Sequence, residues 1–146
     1  MTLRFSTGLR NALLDATALK EALDGGLIKI YSGTEPASAN DAVTGTLLVT
    51  ISNNSTGTGI TFEDDPVDGV LSKKSSEVWS GANAATGTAG YFRHVATGDD
   101  GTSSTTQRRL QGRVAVAGAE LNLSSVALTS GATQTIDYYS IVQPAS

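Results

Sequence analysis

Residues 86–96 read TGTAGYFRHVA, and the fold assignment turns on them. Tyr91, Arg93 and Val95 alternate with Phe92 and His94, which is the period of two expected for a strand rather than the 3.6-residue period of a helix. Gly87 and Gly90 fall inside the run. A phosphate cradle would need a following Gly-Lys-Ser/Thr and the start of a helix, and neither is present. The glycines therefore predict a bulge or bend in the strand.

Strand signals continue on both sides. Upstream lie residues 27–31, then residues 46–52 with Leu47, Val49 and Ile51 expected on one inward face, then residues 60–62, 70–71 and 77–80. Downstream lie residues 109–116, 120–123, 126–128 and 135–142. In the last of these, Ile136, Tyr138 and Val142 alternate with Asp137, Tyr139 and Ile141. The connections are rich in Gly, Asn, Asp, Ser and Thr, including the acidic turn Glu63-Asp64-Asp65-Pro66 and the polar loop 97–106. That loop is expected to be exposed, or ordered only by a neighbour. Eight to ten short strands at this spacing predict a mainly β fold, an antiparallel β-sandwich or jelly roll, rather than βαβ units.

Helical periodicity is confined to residues 7–23, where Leu9, Leu13, Leu19 and Leu23 recur with Ala12, Ala16 and Ala22 among them. Two helical pieces are expected. Ser6 or Thr7 would cap the first and Asp15 or Thr17 the second. Asp24-Gly25-Gly26 would end it, because glycine adopts positive φ at little cost. The chain thus divides into an N-terminal arm with helices, 1–26, and a β-sandwich, 27–146, within one domain. The amphipathic helical segment would pack across its own sandwich or dock on another subunit.

Composition narrows the function classes. Gly, Ser and Thr make up 51 of the 146 residues, whereas charged residues are 16% and aromatics 5%. A net charge of −4 argues against nucleic acid, since neutralising phosphates takes clustered Lys and Arg, and Arg108-Arg109 is the densest basic spot. The absence of cysteine excludes disulfides and thiolate chemistry. No run approaches the roughly 18 apolar residues of a membrane span, and the first ten residues lack a secretory signal. No membrane partner is expected.

Few residues could support catalysis. His94 is the only histidine, so acid–base or metal chemistry near neutral pH would have to centre on it, and a structural or surface histidine in mid-strand is the simpler expectation. Glu63, Asp64, Asp65 and Asp68, and separately Asp99 and Asp100, could offer oxygen ligands to calcium, but neither group has EF-hand spacing. They read as solvated turns. No Gly-x-Ser-x-Gly elbow appears. No catalytic residue, metal or cofactor is assigned. Trp79, Tyr91, Tyr138 and Tyr139 could stack on sugars, although most are expected in the core.

Four stretches, LRFSTGLRNALL (3–14), GLIKIYSGTEPASANDAVTGTLL (26–48), TGTAGYFRHVAT (86–97) and ELNLSSVALTSGATQTIDYYSIVQP (120–144), together resemble small virion proteins of tailed double-stranded DNA phages. The resemblance implies a non-enzymatic structural protein of the virion. It also implies a β-sandwich of the capsid decoration or cement kind, oligomeric and bound to the major capsid protein. Tail-tube, tail-terminator and baseplate subunits are the near alternatives, and a carbohydrate-binding module for host attachment is the alternative of a different class. Residues 1–5 and 143–146 would serve as arms received by a neighbour, with Leu3, Phe5, Leu9 and Leu13 as partner-binding anchors.

Overall fold

The computed structural model describes residues 3–15 and 17–143. In chain order the elements are β1 (Arg4–Phe5), α1 (Thr7–Leu14), α2 (Leu19–Leu23), β2 (Leu27–Ser32), β3 (Leu47–Asn53), β4 (Val70–Ser72), β5 (Trp79–Ala82), β6 (Gly87–Val95), β7 (Arg109–Ala115), β8 (Leu121–Asn122), β9 (Ala127–Leu128), β10 (Thr133–Ile136) and β11 (Ser140–Val142). The chain is mainly β. Nine strands join in one sheet along the path β1-β7-β6-β2-β3-β5-β10, with β8 beside β7 and β9 beside β6, while β11 and β4 form a separate two-stranded ribbon. Pairing is antiparallel except between β7 and β8.

Register assigns each side chain to a face, because directly paired residues point the same way. Phe5 pairs with Leu110, Leu110 with His94, His94 with Ile28 and Ile28 with Ile51. This row faces the apolar core, where Phe62, Trp79, Ile60, Leu121 and Ile136 pack on it. Each large apolar side chain taken fully from water contributes about 1.5–3 kcal/mol, so the inner face holds the sheet together. The next row, Arg4, Gln111, Arg93, Lys29 and Thr50, points the other way.

The helical segment follows expectation at its first cap and departs from it at the second. Ser6 caps α1, its side chain accepting from the Leu9 amide. Neither Asp15 nor Thr17 caps α2; Ala18 holds that position and makes no side-chain cap bond, which short α2 tolerates because it is held by packing of Leu23. Ala16 lies outside the described residues. The chain leaves α2 through Asp24 and Gly25, the latter at φ +79°.

The expected bulge in β6 is present. Tyr31 pairs with Tyr91 but Ser32 with Ala89, leaving Gly90 as the extra residue. Here the side-chain hydrogen is obligatory, since a Cβ on Gly90 would overlap the carbonyl oxygen of Gly33.

Other expectations need correction. In β3 a register shift breaks the alternation: Val49 and Ile51 pair with Ile30 and Ile28, but Leu47 pairs with Tyr31 and so does not share their face, and Leu48, the extra residue between them, is fully buried. Residues 60–62 form isolated bridges, Ile60 to Gly26 and Phe62 to Lys73, rather than a strand. The stretch 135–142 splits into β10 and β11, which pair with different partners. Its alternation consequently slips: Ile136, Tyr139 and Ile141 are buried, and Tyr138 and Val142 are exposed.

Candidate functional site

The outer face of the central strands carries a polar layer, and residues 33–46 cross it as a strap. Arg4 donates to the Ala37 carbonyl, Gln111 to Pro36, Arg93 to Ser38 and Arg109 to Ala39, at 2.7, 2.8, 3.4 and 3.2 Å. The Tyr91 hydroxyl donates to the Thr44 carbonyl and accepts from its amide, and its ring stacks on Tyr31 at 5.1 Å. Burial raises the Tyr31 phenol to about 12.

At one end of this layer Arg109 and Asp99 form a fully buried two-pronged pair, with Nε to Oδ2 at 2.6 Å and Nη2 to Oδ1 at 2.7 Å. Burial alone would raise the Asp99 carboxyl. The Arg109 hydrogen bonds and the Gly101 amide, at 2.9 Å, hold it below the ordinary carboxylate range. Arg109 also donates to the Thr102 carbonyl. Loop 97–106 is largely exposed, as expected, but Asp99 and Gly101 are buried and clamp it to its own sheet, so it does not need a neighbour to order it there. Arg108 is exposed, so the densest basic spot of the sequence is split between surface and interior.

His94 lies on the opposite, core-facing side of the sheet. It is fully buried, its Nε2 lies 3.0 Å from the Leu23 carbonyl oxygen, and its ring stacks on Phe62. Burial lowers it from 6.5 to about 4, so the imidazole is neutral at pH 7 and ties the end of α2 to β6. The acidic residues of the 63–68 turn lie elsewhere, on the surface, with Asp64 engaged by Lys74 and Lys20. Among the described residues no group of three or more His, Asp and Glu is placed to hold a metal ion.

Of the aromatic candidates, Trp79, Tyr91 and Tyr139 are core residues and Tyr138 alone stands out in solvent, 89% exposed. Tyr138 borders a shallow cleft with Asp137, Asn122 and Thr135. The anchor candidates do not form one surface either. Leu9 is fully buried, and Leu3, Phe5 and Leu13 are partly buried against the core. Residues 4–5 are not a free arm, because β1 is a strand of the sheet and Ser6 binds the Arg109 carbonyl and amide and the Gln107 carbonyl. Residues 1–2 and 144–146 lie outside the described residues.

Sequence reasoning passed over the feature that most resembles a docking site. A groove of about 220 Å³ runs between α2 and the β4–β11 ribbon, lined by Leu19, Pro66, Leu71, Ile141, Lys20 and Gln143 among others. Val67 and Val142, next in sequence to Pro66 and Ile141, are exposed. The signal was present as Pro66-Val67 beside the acidic turn, but only the pairing of β4 with β11 brings Ile141 to it.

Comparison with protein-family models, with curated proteins and with solved structures yields no match.

Proposed function

We propose that this chain is a non-enzymatic structural subunit of a tailed-phage virion, a capsid decoration protein that binds the major capsid protein and stiffens the shell. The β-sandwich or jelly-roll arrangement belongs to this reading. The observation that carries it is how the reactive groups are used. His94, Asp99, Arg93 and Arg109 are all spent inside the fold as struts, whereas the surface offers apolar side chains, Leu14, Val67, Val116, Tyr138 and Val142, among small polar ones. Exposed apolar groups of that kind favour being covered by a neighbour. Assembly at more than about 1,000 Å² per contact would add stability beyond that of the isolated fold.

The test is to image virions labelled with antibody against this chain, and to add the purified chain to capsids lacking it. Labelling over the whole head and saturable binding to the shell are the expected results. Labelling confined to the tail would transfer the protein to the tail-tube, terminator or baseplate class, and absence from particles would end the virion reading altogether. One observation favours a second reading, a carbohydrate-binding module for host attachment. Tyr138 is a lone exposed aromatic beside polar Asp137 and Asn122, a combination suited to stacking on a sugar ring. A glycan array without hits would remove it.

A further inference from the structure

We infer that the groove between α2 and the β4–β11 ribbon receives helix α1 of a second copy of this chain, forming a two-fold dimer. The inference deepens the structural-subunit reading and rests on it for its biological purpose, but the dimer itself is a property of the isolated chain.

Helix α1 is apolar on two sides. Leu9 and Leu13 point into the subunit's own core, while Leu14 is 86% exposed. Arg10, four residues earlier, lies on the same side as Leu14. It is exposed and among the described residues makes no ion pair, its side chain reaching only Thr7. The outward side of α1 is thus a leucine flanked by an uncommitted cation.

The groove presents the complement. Its walls are Leu19, Pro66, Leu71 and Ile141. The charged residue of the lining, Lys20, is engaged by Asp24 and Asp64, and Asp65 and Asp68, which adjoin the lining residues Pro66 and Gly69 in sequence, are exposed and without an ion pair among the described residues. An apolar slot with unpaired carboxylates next in sequence to two of its lining residues fits an exposed leucine that carries a cation beside it.

Proximity is compatible with two-fold symmetry. The groove wall begins at Ala18, four residues after Leu14, and four peptide units span at most about 15 Å. Knob and slot therefore lie close together on one subunit, so the two copies can exchange the same contact in both directions, as an isologous interface requires. A subunit cannot fill its own groove with Leu14, which points into solvent.

Sedimentation equilibrium of the purified chain, up to about 100 µM, tests this at a concentration where a weak but specific interface is populated. The expected result is a dimer whose dissociation constant rises at least about 30-fold in Leu14→Asp, as for the loss of an interface anchor. Because Leu14 is exposed, far-UV circular dichroism should be unchanged. Arg10→Glu and Asp65→Arg should each weaken the dimer, and together restore it to within about twofold of the parent. A monomer throughout the range, a dimer indifferent to Leu14→Asp, or single charge reversals that fail to rescue each other would overturn the inference. So would a monomer that binds capsids through this groove, which would assign the slot to a foreign protein. Virion labelling reports on the wider reading separately, since a monomeric chain on the capsid keeps that reading and discards only the dimer.

Discussion

Replacing Asp99 with Asn should be among the most damaging isosteric changes available in this chain. The substitution leaves volume and shape nearly intact, but it removes the charge that faces Arg109 at 2.6 and 2.7 Å in a site closed to water. It also turns one acceptor into a donor pointed at guanidinium N–H groups. Breaking one partner of a buried pair costs about 3–5 kcal/mol, because the surviving charge stays desolvated. Against a total stability of about 5–15 kcal/mol, and at roughly 2–4 °C per kcal/mol for a chain of this size, the melting temperature should fall by about 6–20 °C. Urea unfolding followed through Trp79, the sole tryptophan and fully buried, measures the loss directly. The pair also has a pH signature. The Asp99 carboxyl is depressed in the fold, so its contribution is complete above the unfolded value near 3.9 and disappears as pH falls below it. Asp99→Asn should flatten that acid limb. A loss under about 1 kcal/mol with the acid limb unchanged would refute the claim that Arg109 and Asp99 clamp loop 97–106.

His94 sets a second pH window. Its folded value near 4 lies below the ordinary 6.5, so between these limits the unfolded chain binds the proton and the folded chain does not. Stability should decline by about 3 kcal/mol as pH drops from 6.5 to 4, and His94→Gln, compared by urea titration at several pH values, should lose that slope; an identical slope in both proteins counts against the assignment. Gly90→Ala should cost several kcal/mol or prevent folding, since the β2–β6 bulge has no room for a methyl group, and wild-type thermal stability in that variant would contradict the register described. Tyr139→Phe should be neutral or stabilising by about 1 kcal/mol, because the hydroxyl is buried without a partner among the described residues; a clear loss on calorimetry would mean that the hydroxyl is bonded after all.

The strands and the first cap were legible because they depend on local chemistry. The period of two in residues 91–95, the Ser6 cap and the Gly90 bulge are each decided within a few residues of sequence. Alternation misled where a second layer covers the sheet. Arg93 and Gln111 look like solvent-facing positions in the pattern, yet their partners are the Ser38 and Pro36 carbonyls, 55 and 75 residues away. The slip at residues 137–139 has a similar origin, since Tyr139 is drawn to Phe62, Trp79 and Phe92 rather than continuing a strand. Of the residues on α1, helical spacing groups Leu9 with Leu13, and both pack on the core, whereas the neighbouring Leu14 meets water. The groove was invisible for the reason that long-range pairing is invisible: β4 and β11 are some 70 residues apart in the chain.

The knot of bonds around Ser6 has a temporal consequence. Its hydroxyl and amide are satisfied by the backbone of Gln107 and Arg109, so β1 and the start of α1 lack these bonds until residue 109 has been made, although Arg4 and Thr7 meet Ala37 and Asn40 earlier in the chain. Closure of so large a loop is a slow step. During synthesis at roughly 5–20 residues per second, β1 and the start of α1 lack these bonds for several seconds, and chains cut short before Gln107 should be more open to protease at their beginnings than chains that include β7.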